Sequence, residues 1–464
     1  MKTIKLIQTN ANNCHCPDEL SIQVVQDILM YTIRRKNRDT ELMEDVNKSM
    51  LKNYGGYHSF PFGLLNHVIQ KANKLNYSVD VEIMKLKNEL SPRIGVTLPG
   101  ITLEKYQFHA LRKVGGNNIR GLIVNSTGSG KSIIIGGIVY KLNEPETLII
   151  TPNRTIFNQL YINFKKWFPK YHIGRLGDNY NDLGHITISL FQSLKNLNLR
   201  KFKPKLIIVD EAHNINKTMI NLFRKKLKNV HYRFGFTATP RKFSEGFEKA
   251  ANMYGYIGPI IYKATEQQTI KRVVPAKVYT IRNFCFSITG ENYSEVLRQD
   301  ILYSFQRNYK LLMTIKKLAL DKNKTALILI DETKQGNKLL EAAKHIELNP
   351  VFVHSKINKD FIDQTIRKLN NKEINLVIAT PVFGLGTNIP TVDCVGLGSA
   401  KKSEIDTLQK IGRGRRRIEG KEHLIVIDII DTLRNQYFNK YFYGYSLKRL
   451  QIYKNKGWEI ISYK

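Results

Sequence analysis

Two stretches of this chain repeat one pattern: a short, wholly apolar, β-prone run, a helical stretch, then another such run. In the first stretch the runs are Gly121 to Asn125, Thr147 to Thr151, His185 to Leu190, Leu206 to Val209 and Tyr232 to Thr237. In the second they are Ala326 to Ile330, Val351 to His354, Leu376 to Ala379, Cys394 to Leu397 and Leu424 to Ile427. A strand that is apolar at every residue needs both faces covered, and strands separated by helix-length connections pair in parallel. The expected fold is therefore α/β, with two parallel-sheet lobes in tandem. At 464 residues the chain is also too long for one ordinary core. Residues 1–95 mix short strand-like and helix-like pieces, punctuated at Gly55-Gly56 and Pro61-Phe62-Gly63, and read as a small α+β N-terminal domain. The expected order is then 96–245 as the first lobe, 246–300 as a linker or insertion, 301–435 as the second lobe and 436–464 as a helical tail packed on it.

Charge narrows the partners. Lysine and arginine number 73 against 39 acidic residues, a net charge of +34 and a pI near 9.8. Such an excess on a folded chain implies a polyanionic partner, held more weakly as salt rises. A lysine-rich surface that is merely solvated would give the same count, so charge supports a nucleic-acid ligand without identifying it. The hydrophobic fraction of 42% excludes a disordered chain. No run of eighteen or more apolar residues is present, and Met1-Lys2-Thr3-Ile4-Lys5-Leu6-Ile7-Gln8 lacks the apolar core of a secretion signal, so a cytoplasmic location is expected, the host's if the source is viral. Cys14, Cys16, Cys285 and Cys394 are scattered, and Cys14-His15-Cys16 has no second ligand pair at zinc-like spacing. The tail interleaves Tyr437, Phe438, Tyr441, Phe442 and Tyr445 with Lys440, Lys448 and Arg449, at spacings that suit one amphipathic helix. Packing on the second lobe explains that stripe better than base stacking does.

After Leu122-Ile123-Val124 comes Asn125-Ser126-Thr127-Gly128-Ser129-Gly130-Lys131-Ser132, opening a helical run to Tyr140. This is a phosphate-binding loop in its required strand–loop–helix setting, where glycines permit the curvature and the helix N-terminus adds positive charge. Lys131 would reach the β and γ phosphates of ATP and the Ser132 hydroxyl would ligate Mg2+. The usual first glycine of the pattern is here Asn125. A second half of the site follows about eighty residues later, where Leu206-Ile207-Ile208-Val209 runs into Asp210-Glu211-Ala212-His213. A buried strand ending in adjacent carboxylates puts Asp210 near the metal and Glu211 where it can orient and deprotonate a water.

With both halves present the chain resembles the superfamily 2 helicases, whose lobes are RecA-like. Tyr106-Gln107 sits about twenty residues ahead of the loop, where that family keeps its adenine-reading glutamine. Pro152, Asn153 and Arg154 match one motif that touches the nucleic-acid backbone, and Gln192 with Ser193 matches another. Thr237-Ala238-Thr239-Pro240 matches the motif that couples hydrolysis to strand movement. In the second lobe His354-Ser355 and the segment Ile378 to Ile389, which contains Thr380 and Gly386, fit later motifs; Gly386 would lie at the nucleotide. Gln409-Lys410-Ile411-Gly412-Arg413-Gly414-Arg415-Arg416 fits Gln-x-x-Gly-Arg-x-x-Arg. The resemblance assigns Gln409, Arg413 and Arg416 to the γ-phosphate shell.

Outside these motifs the chain is similar to bacteriophage branch-migration helicases of the UvsW type. The similarity rests on Phe60-Pro61-Phe62-Gly63-Leu64-Leu65, Asn76 to Val81, Asp300, Arg307-Asn308 and Leu447 to Tyr453. It implies a DNA-binding N-terminal domain and action on branched, partly single-stranded DNA, mostly through the phosphate backbone; a monomer is expected because one chain supplies both halves of the ATP site. Three rivals stand beside it: an RNA helicase on the same motor, a translocating subunit of a larger DNA-processing complex, and a non-catalytic nucleic-acid-binding scaffold. A strand-separating wedge is expected between about 277 and 300.

Overall fold

The structure, a computed structural model, describes residues 2–36, 43–84, 90–116, 118–354, 356–380, 389–400 and 403–463. They form two compact units: Met1–Asn125 with Lys131–Ala264, and Ser126–Gly130 with Thr265–Lys464.

The first unit opens with strands β1 (Lys2–Gln8), β2 (Asn13–Cys16), β3 (Met30–Lys36), β4 (Met43–Ser49), β5 (Lys52–Tyr54), β6 (Tyr57–Pro61) and β7 (Tyr77–Glu82). Five of them make a sheet in the order β5-β6-β2-β1-β7, and β3 pairs with β4 as a separate ribbon. Helices Glu19–Leu29 and Leu65–Lys74 close a core of Ile4, Leu6, Val25, Phe60, Leu64 and Val68. The period of two along β2 sends Cys14 and Cys16 into that core and His15 to the other face, where its ring stacks on Tyr57 at 4.0 Å. Burial pushes both thiols up, Cys16 to about 12, so neither presents a thiolate.

This small domain shares its core with the first lobe of the same unit. Ala251 belongs to the same apolar cluster, with Phe243, Phe247 and Tyr254 against it. Gly63 has no room for a side chain, since a Cβ there would lie 2.1 Å from the Tyr254 carbonyl. Arg233, fully buried, donates to the carbonyls of Val230 (2.8 Å), Leu227 (2.7 Å) and Tyr256 (3.3 Å), and also to the Asn12 side chain. The Asn12 amide donates in turn to Phe223, and the Arg120 guanidinium to the Ala11 carbonyl. The N-terminal domain is thus riveted to the first lobe by buried polar groups as well as apolar contact.

The first lobe is an eight-stranded sheet of β8 (Arg120–Val124), β9 (Thr147–Thr151), β10 (Ile173–Gly177), β11 (Tyr180–Asn181), β12 (Ile186–Leu190), β13 (Leu206–Val209), β14 (Tyr232–Thr237) and β15 (Ile260–Lys263), in the order β11-β10-β12-β9-β13-β14-β8-β15. All pairs are parallel except the β10–β11 hairpin. Separate apolar clusters cover its two faces, as wholly buried strands require.

The second lobe holds β16 (Ala276–Cys285), β17 (Ala326–Leu329), β18 (Val351–Val353), β19 (Leu376–Ala379), β20 (Cys394–Leu397), β21 (Leu424–Leu433) and β22 (Glu459–Tyr463). They run β18-β19-β17-β20-β21-β16-β22, every pair parallel. Two features lie outside the sequence expectation. Residues 246–300 contain helix Phe247–Ile257 and β15 of the first unit and β16 of the second sheet. The tail is helix Gln436–Asn455 followed by β22, and its aromatic stripe divides: Phe438, Phe442 and Tyr453 are buried, Tyr437 and Tyr443 exposed. β16 escapes a search for apolar runs because its burial alternates along much of its length. β21 runs six residues past Ile427 because its two interior acids are neutralised in place. Asp428 takes Arg449 (2.9 Å) and Tyr453 (2.8 Å), and Asp431 takes Arg307 (2.9 Å). Among the described residues no helix is long and apolar enough to cross a membrane.

The Arg233 rivet makes a prediction. Asn12→Ala strands a buried charged donor, and should lower the unfolding free energy of the first unit by about 2–3 kcal/mol in urea titration. A change below about 0.5 kcal/mol, the usual scale of surface substitutions, would contradict it.

Candidate active site

The phosphate loop bends where the sequence supplies glycine: Gly128 and Gly130 have φ of +84° and +77°. Ser129 closes the bend, its N–H and hydroxyl both donating to the Ser126 carbonyl (3.3 and 2.8 Å). Helix Lys131–Lys141 starts directly after it. Asn125, at the position usually held by glycine, is 1% exposed, and among the described residues neither its amide nitrogen nor its amide oxygen has a hydrogen-bond partner. The Ser126 hydroxyl is likewise buried without one. Orphaned polar atoms lining such a loop fit a polar, phosphate-bearing ligand.

Lys131 donates to Glu211 at 2.8 Å, both largely buried. Glu211 follows Asp210 at the end of β13 with φ of +48°, a strained left-handed conformation from which its carboxylate meets Lys131. Burial and the neighbouring Glu211 charge push Asp210 up to about 6, despite Lys131 and a weak bond from the Thr151 hydroxyl (3.4 Å). Burial pulls Glu211 the same way, but the Lys131 charge and the Lys131 hydrogen bond outweigh it and hold that carboxyl below its ordinary range. These two acids beside a serine at the head of the helix, Ser132, are a donor set suited to Mg2+.

The network continues beyond the acids. His213 Nδ1 lies 3.4 Å from Glu211 and 2.9 Å from the Thr237 hydroxyl. That hydroxyl donates to the Thr239 carbonyl and accepts from the Thr239 N–H, both at 3.1 Å. Burial pushes His213 down to about 4, so it is neutral at physiological pH, with Nδ1 as the protonated nitrogen that Thr237 requires. Asn125 N–H closes the loop by donating to the Thr237 carbonyl (3.1 Å). Hydrogen bonds therefore join Lys131 to Glu211 and His213 to the Thr237-Ala238-Thr239 turn, and between the two pairs Glu211 approaches His213 to 3.4 Å without a hydrogen bond. Sequence reasoning gave His213 no part; its place at the end of Asp-Glu-Ala-His was the available signal.

Other candidates fare variously. Tyr106 and Gln107 are buried; Gln107 accepts from the Glu104 N–H (3.0 Å) in a helix capping box, and Tyr106 lies in the apolar core. Asn153 caps helix Arg154–Trp167, accepting from Thr155 and Ile156, beside half-buried Pro152. Arg154 reaches outward, with Asp178 at 3.3 Å. Gln192 is exposed and Ser193 half-buried on the turn Phe191–Asn196.

In the second unit His354 and Thr380 follow β18 and β19, and the Thr380 N–H donates to Val353 (3.0 Å). The Thr380 hydroxyl is buried without a partner among the described residues. Ser355 and Gly386 lie outside the described residues. Gln409 lies on helix Glu404–Gly412. The arginine run divides cleanly: Arg415 is spent on Glu266, the Val274 carbonyl and the face of Trp458, and Arg417 on the Ile270 carbonyl. Among the described residues Arg413 keeps a buried guanidinium N–H without a partner, and burial pushes it down to about 10, still charged. Arg416 is half-buried.

Asp210 carries the testable consequence. Its raised pKa is a cost of ionisation borne by the folded state, fully present above about 6 and fading as pH falls toward the ordinary carboxylate value. Asp210→Asn should therefore raise the melting temperature of the ligand-free protein at pH 7.5 and leave it nearly unchanged at pH 4. A variant that melts lower than wild type at pH 7.5 would contradict this. Asn125→Ala, which removes two orphaned polar atoms, should likewise stabilise the ligand-free protein, by about 1 kcal/mol, and shrink the melting shift that nucleotide produces.

Residues 100–242 match the family model described as Type III restriction enzyme, res subunit, and residues 308–417 match the Helicase conserved C-terminal domain. Together they cover more than half of the chain. The ATP-dependent DNA helicase uvsW of Enterobacteria phage T4 is 22% identical over 404 residues, 80% of this chain and 79% of that protein. IRC3 of Saccharomyces cerevisiae is 24% identical over 340 residues, 66% of this chain; those residues span about half of IRC3, 47% of its length. Among solved structures, the ATP-dependent Type ISP restriction-modification enzyme LlaBIII bound to DNA shares the fold with a TM-score of 0.56 at 14% identity, over 86% of this chain and 34% of that one. The matched pair is that of a helicase motor, and the chain belongs to the ATP-dependent helicases of superfamily 2.

Proposed function

We propose that the protein moves along DNA at the expense of ATP and remodels branched structures: it migrates four-way junctions, regresses forks and unwinds displaced loops in recombination, repair and replication. The observation that carries the motor is the line of groups from Lys131, bonded to Glu211, across a 3.4 Å approach to His213, bonded in turn to Thr237. A change of charge at the phosphate loop alters the first member of that chain, and the coupling turn is its last. Lys131 is assigned to the β and γ phosphates, exchanging Glu211 for them when ATP binds. Glu211, so released, orients and deprotonates the attacking water. Ser132 and Asp210 would hold Mg2+, which neutralises phosphate charge when bound. Gln409, Arg413 and Arg416 are assigned to the γ-phosphate, for which the orphaned N–H of Arg413 is a ready donor. Arg154, Gln192, Ser193, His354 and Thr380 are assigned to the nucleic-acid backbone, so little sequence specificity is expected. Gly386 and Ser355 keep the roles their motifs imply. A single chain carries every part, in keeping with a monomer.

DNA, and branched DNA in particular, is favoured by two things. The similarity to a phage DNA helicase extends over most of both chains. The N-terminal domain also gathers cations: burial and repulsion from Lys48 and Arg224 pull the Lys52 ammonium down, with Glu248 a weaker counterweight. Arg224 lies near the Tyr54 ring, and Tyr57 on the same β5–β6 hairpin stacks on His15 of β2. Cations held together against their own repulsion form a site for a polyanion, here a duplex arm away from the motor.

Lys131→Ala should abolish DNA-stimulated ATP turnover. Glu211→Gln should bind a fluorescent ATP analogue within a few-fold of wild type and fail to hydrolyse it; retained turnover would show that the catalytic carboxylate lies elsewhere. Lys48→Glu with Lys52→Glu should weaken four-way-junction binding and flatten its salt dependence by roughly two counterions, while turnover driven by a short single strand stays unchanged. Equal loss of both would sink the division of labour.

A further inference from the structure

β16 and β21 outrun the rest of their sheet. β20 pairs with β21 only as far as Asp428, and β22 with β16 only as far as Ile281. β16 and β21 themselves stay in register from Arg282–Ile430 to Cys285–Leu433. The result is a two-stranded ribbon about 13 Å long at roughly 3.3 Å per residue, standing on the C-terminal edge of the sheet. Since every strand of this sheet is parallel, it is the same edge at which β18 leads into His354 and β19 into Thr380. β16 lies five strand spacings from β18, roughly 24 Å along that edge.

An isolated ribbon of two strands is marginal in water, but this one is braced. Asp431, buried in the ribbon, accepts from Asn283 (3.1 Å) and twice from Arg307 (2.9 and 3.0 Å), and Arg307 also donates to the Gly398 carbonyl (2.8 Å). Asp300 ties down the loop beyond the ribbon, accepting from the Thr289 N–H (3.0 Å), the Thr289 hydroxyl (2.8 Å) and the Gly290 N–H (3.1 Å). Asn308 holds the Leu302 carbonyl (3.1 Å), and a small apolar core of Val296, Ile301, Leu302, Leu433, Phe438 and Phe442 lies beneath. Asp300, Arg307 and Asn308, singled out by resemblance but given no task by the motor, all serve this one structure.

What the braced ribbon presents is aromatic. Phe284 is 38% and Phe286 71% exposed, their rings T-shaped with centroids 4.5 Å apart. The Arg434 N–H donates to the Cys285 carbonyl (3.0 Å), which brings the start of helix Gln436–Asn455 to the tip. On that first turn Tyr437 is 61% exposed, with Lys440 4.8 Å above its ring. Arg282 is exposed on the ribbon itself, and Lys310 is anchored to its carbonyl (3.3 Å). Leaving phenyl rings in water is unfavourable, and building a polar scaffold to hold them there makes sense only if flat apolar faces dock on them. Exposed rings flanked by cations suit a base pair beside its phosphates.

We propose that Phe284 and Phe286 form a strand-separating pin, which stacks on the terminal base pair where duplex gives way to single strand. The inference rests on the motor reading of the ATP site. It is tested with Phe284→Ala/Phe286→Ala, Phe286→Trp and wild type on forked DNA bearing 2-aminopurine at the first paired position. Beside the 2-aminopurine fluorescence, three quantities are read: strands separated per ATP hydrolysed, ATP turnover on single-stranded DNA, and melting temperature. The double variant is expected to separate strands about tenfold less efficiently or worse, in line with the loss of one or two base stacks. Its single-strand turnover and melting temperature should match wild type, its 2-aminopurine response should be lost, and Phe286→Trp should keep wild-type values of all three quantities. Strand separation by the double variant at the wild-type yield per ATP would overturn the pin and leave the motor standing. A parallel fall in single-strand turnover would also overturn it, placing the pair in the grip. Wild-type protein that hydrolyses ATP on DNA yet separates no strands would overturn the pin alone, whereas wild-type protein that shows no DNA-stimulated hydrolysis would defeat the motor reading itself.

Discussion

Everything at the candidate active site turns on one lysine holding two acids. Asp210 and Glu211 are adjacent, largely buried and both acidic, an arrangement that repels itself wherever water is excluded. Lys131 makes it tenable, at 2.8 Å from Glu211. The sheet order decides that it can reach: β13 and β8 flank β14, so the strand that delivers the acids and the strand that delivers the loop lie about 10 Å apart. A lysine side chain spans much of that gap, and the left-handed turn at Glu211 spans the remainder. The ligand-free site is thus a balance of charge poised on a cation that phosphate oxygens can claim. His213, kept neutral by burial, carries the consequence to Thr237 as a hydrogen bond, not as a charge.

Most of the fold was legible because a doubly covered strand must be apolar at every position. Leu206–Val209, Tyr232–Thr237, Leu376–Ala379 and Cys394–Leu397 are strands with the bounds read from sequence. Legibility failed where burial was achieved otherwise. β16 alternates, β21 carries two acids that only distant Arg307 and Arg449 explain, and β22 is a short edge strand. The same limit applies at the site. Spacing alone could pick out the arginine run but could not tell that Arg415 is consumed by Glu266 while Arg413 keeps an N–H without a partner among the described residues. Nor could it show that Gln107 and Asn153 spend their side chains on helix ends.

Rigidity is common to the two surfaces assigned to DNA. The N-terminal domain is fastened to the first lobe by Arg233 and Asn12, and the ribbon of the second lobe is fastened by Arg307, Asp431 and Asp300. In both places buried polar groups, costly unless fully partnered, hold exposed aromatic and cationic side chains in a fixed geometry. A motor that moves along a featureless backbone gains direction and purchase from parts that do not yield. That is the physical sense in which a cationic hairpin and an aromatic ribbon belong with an ATP site.

The decisive assay gives the protein ATP and magnesium with three labelled substrates: a mobile four-way DNA junction, a tailed DNA duplex and a tailed RNA duplex, with Lys131→Ala alongside. A branched-DNA motor resolves the junction in an ATP-dependent way and in preference to both duplexes, and the variant resolves nothing. Opening of the RNA duplex alone would leave the motor intact and contradict the assignment to branched DNA.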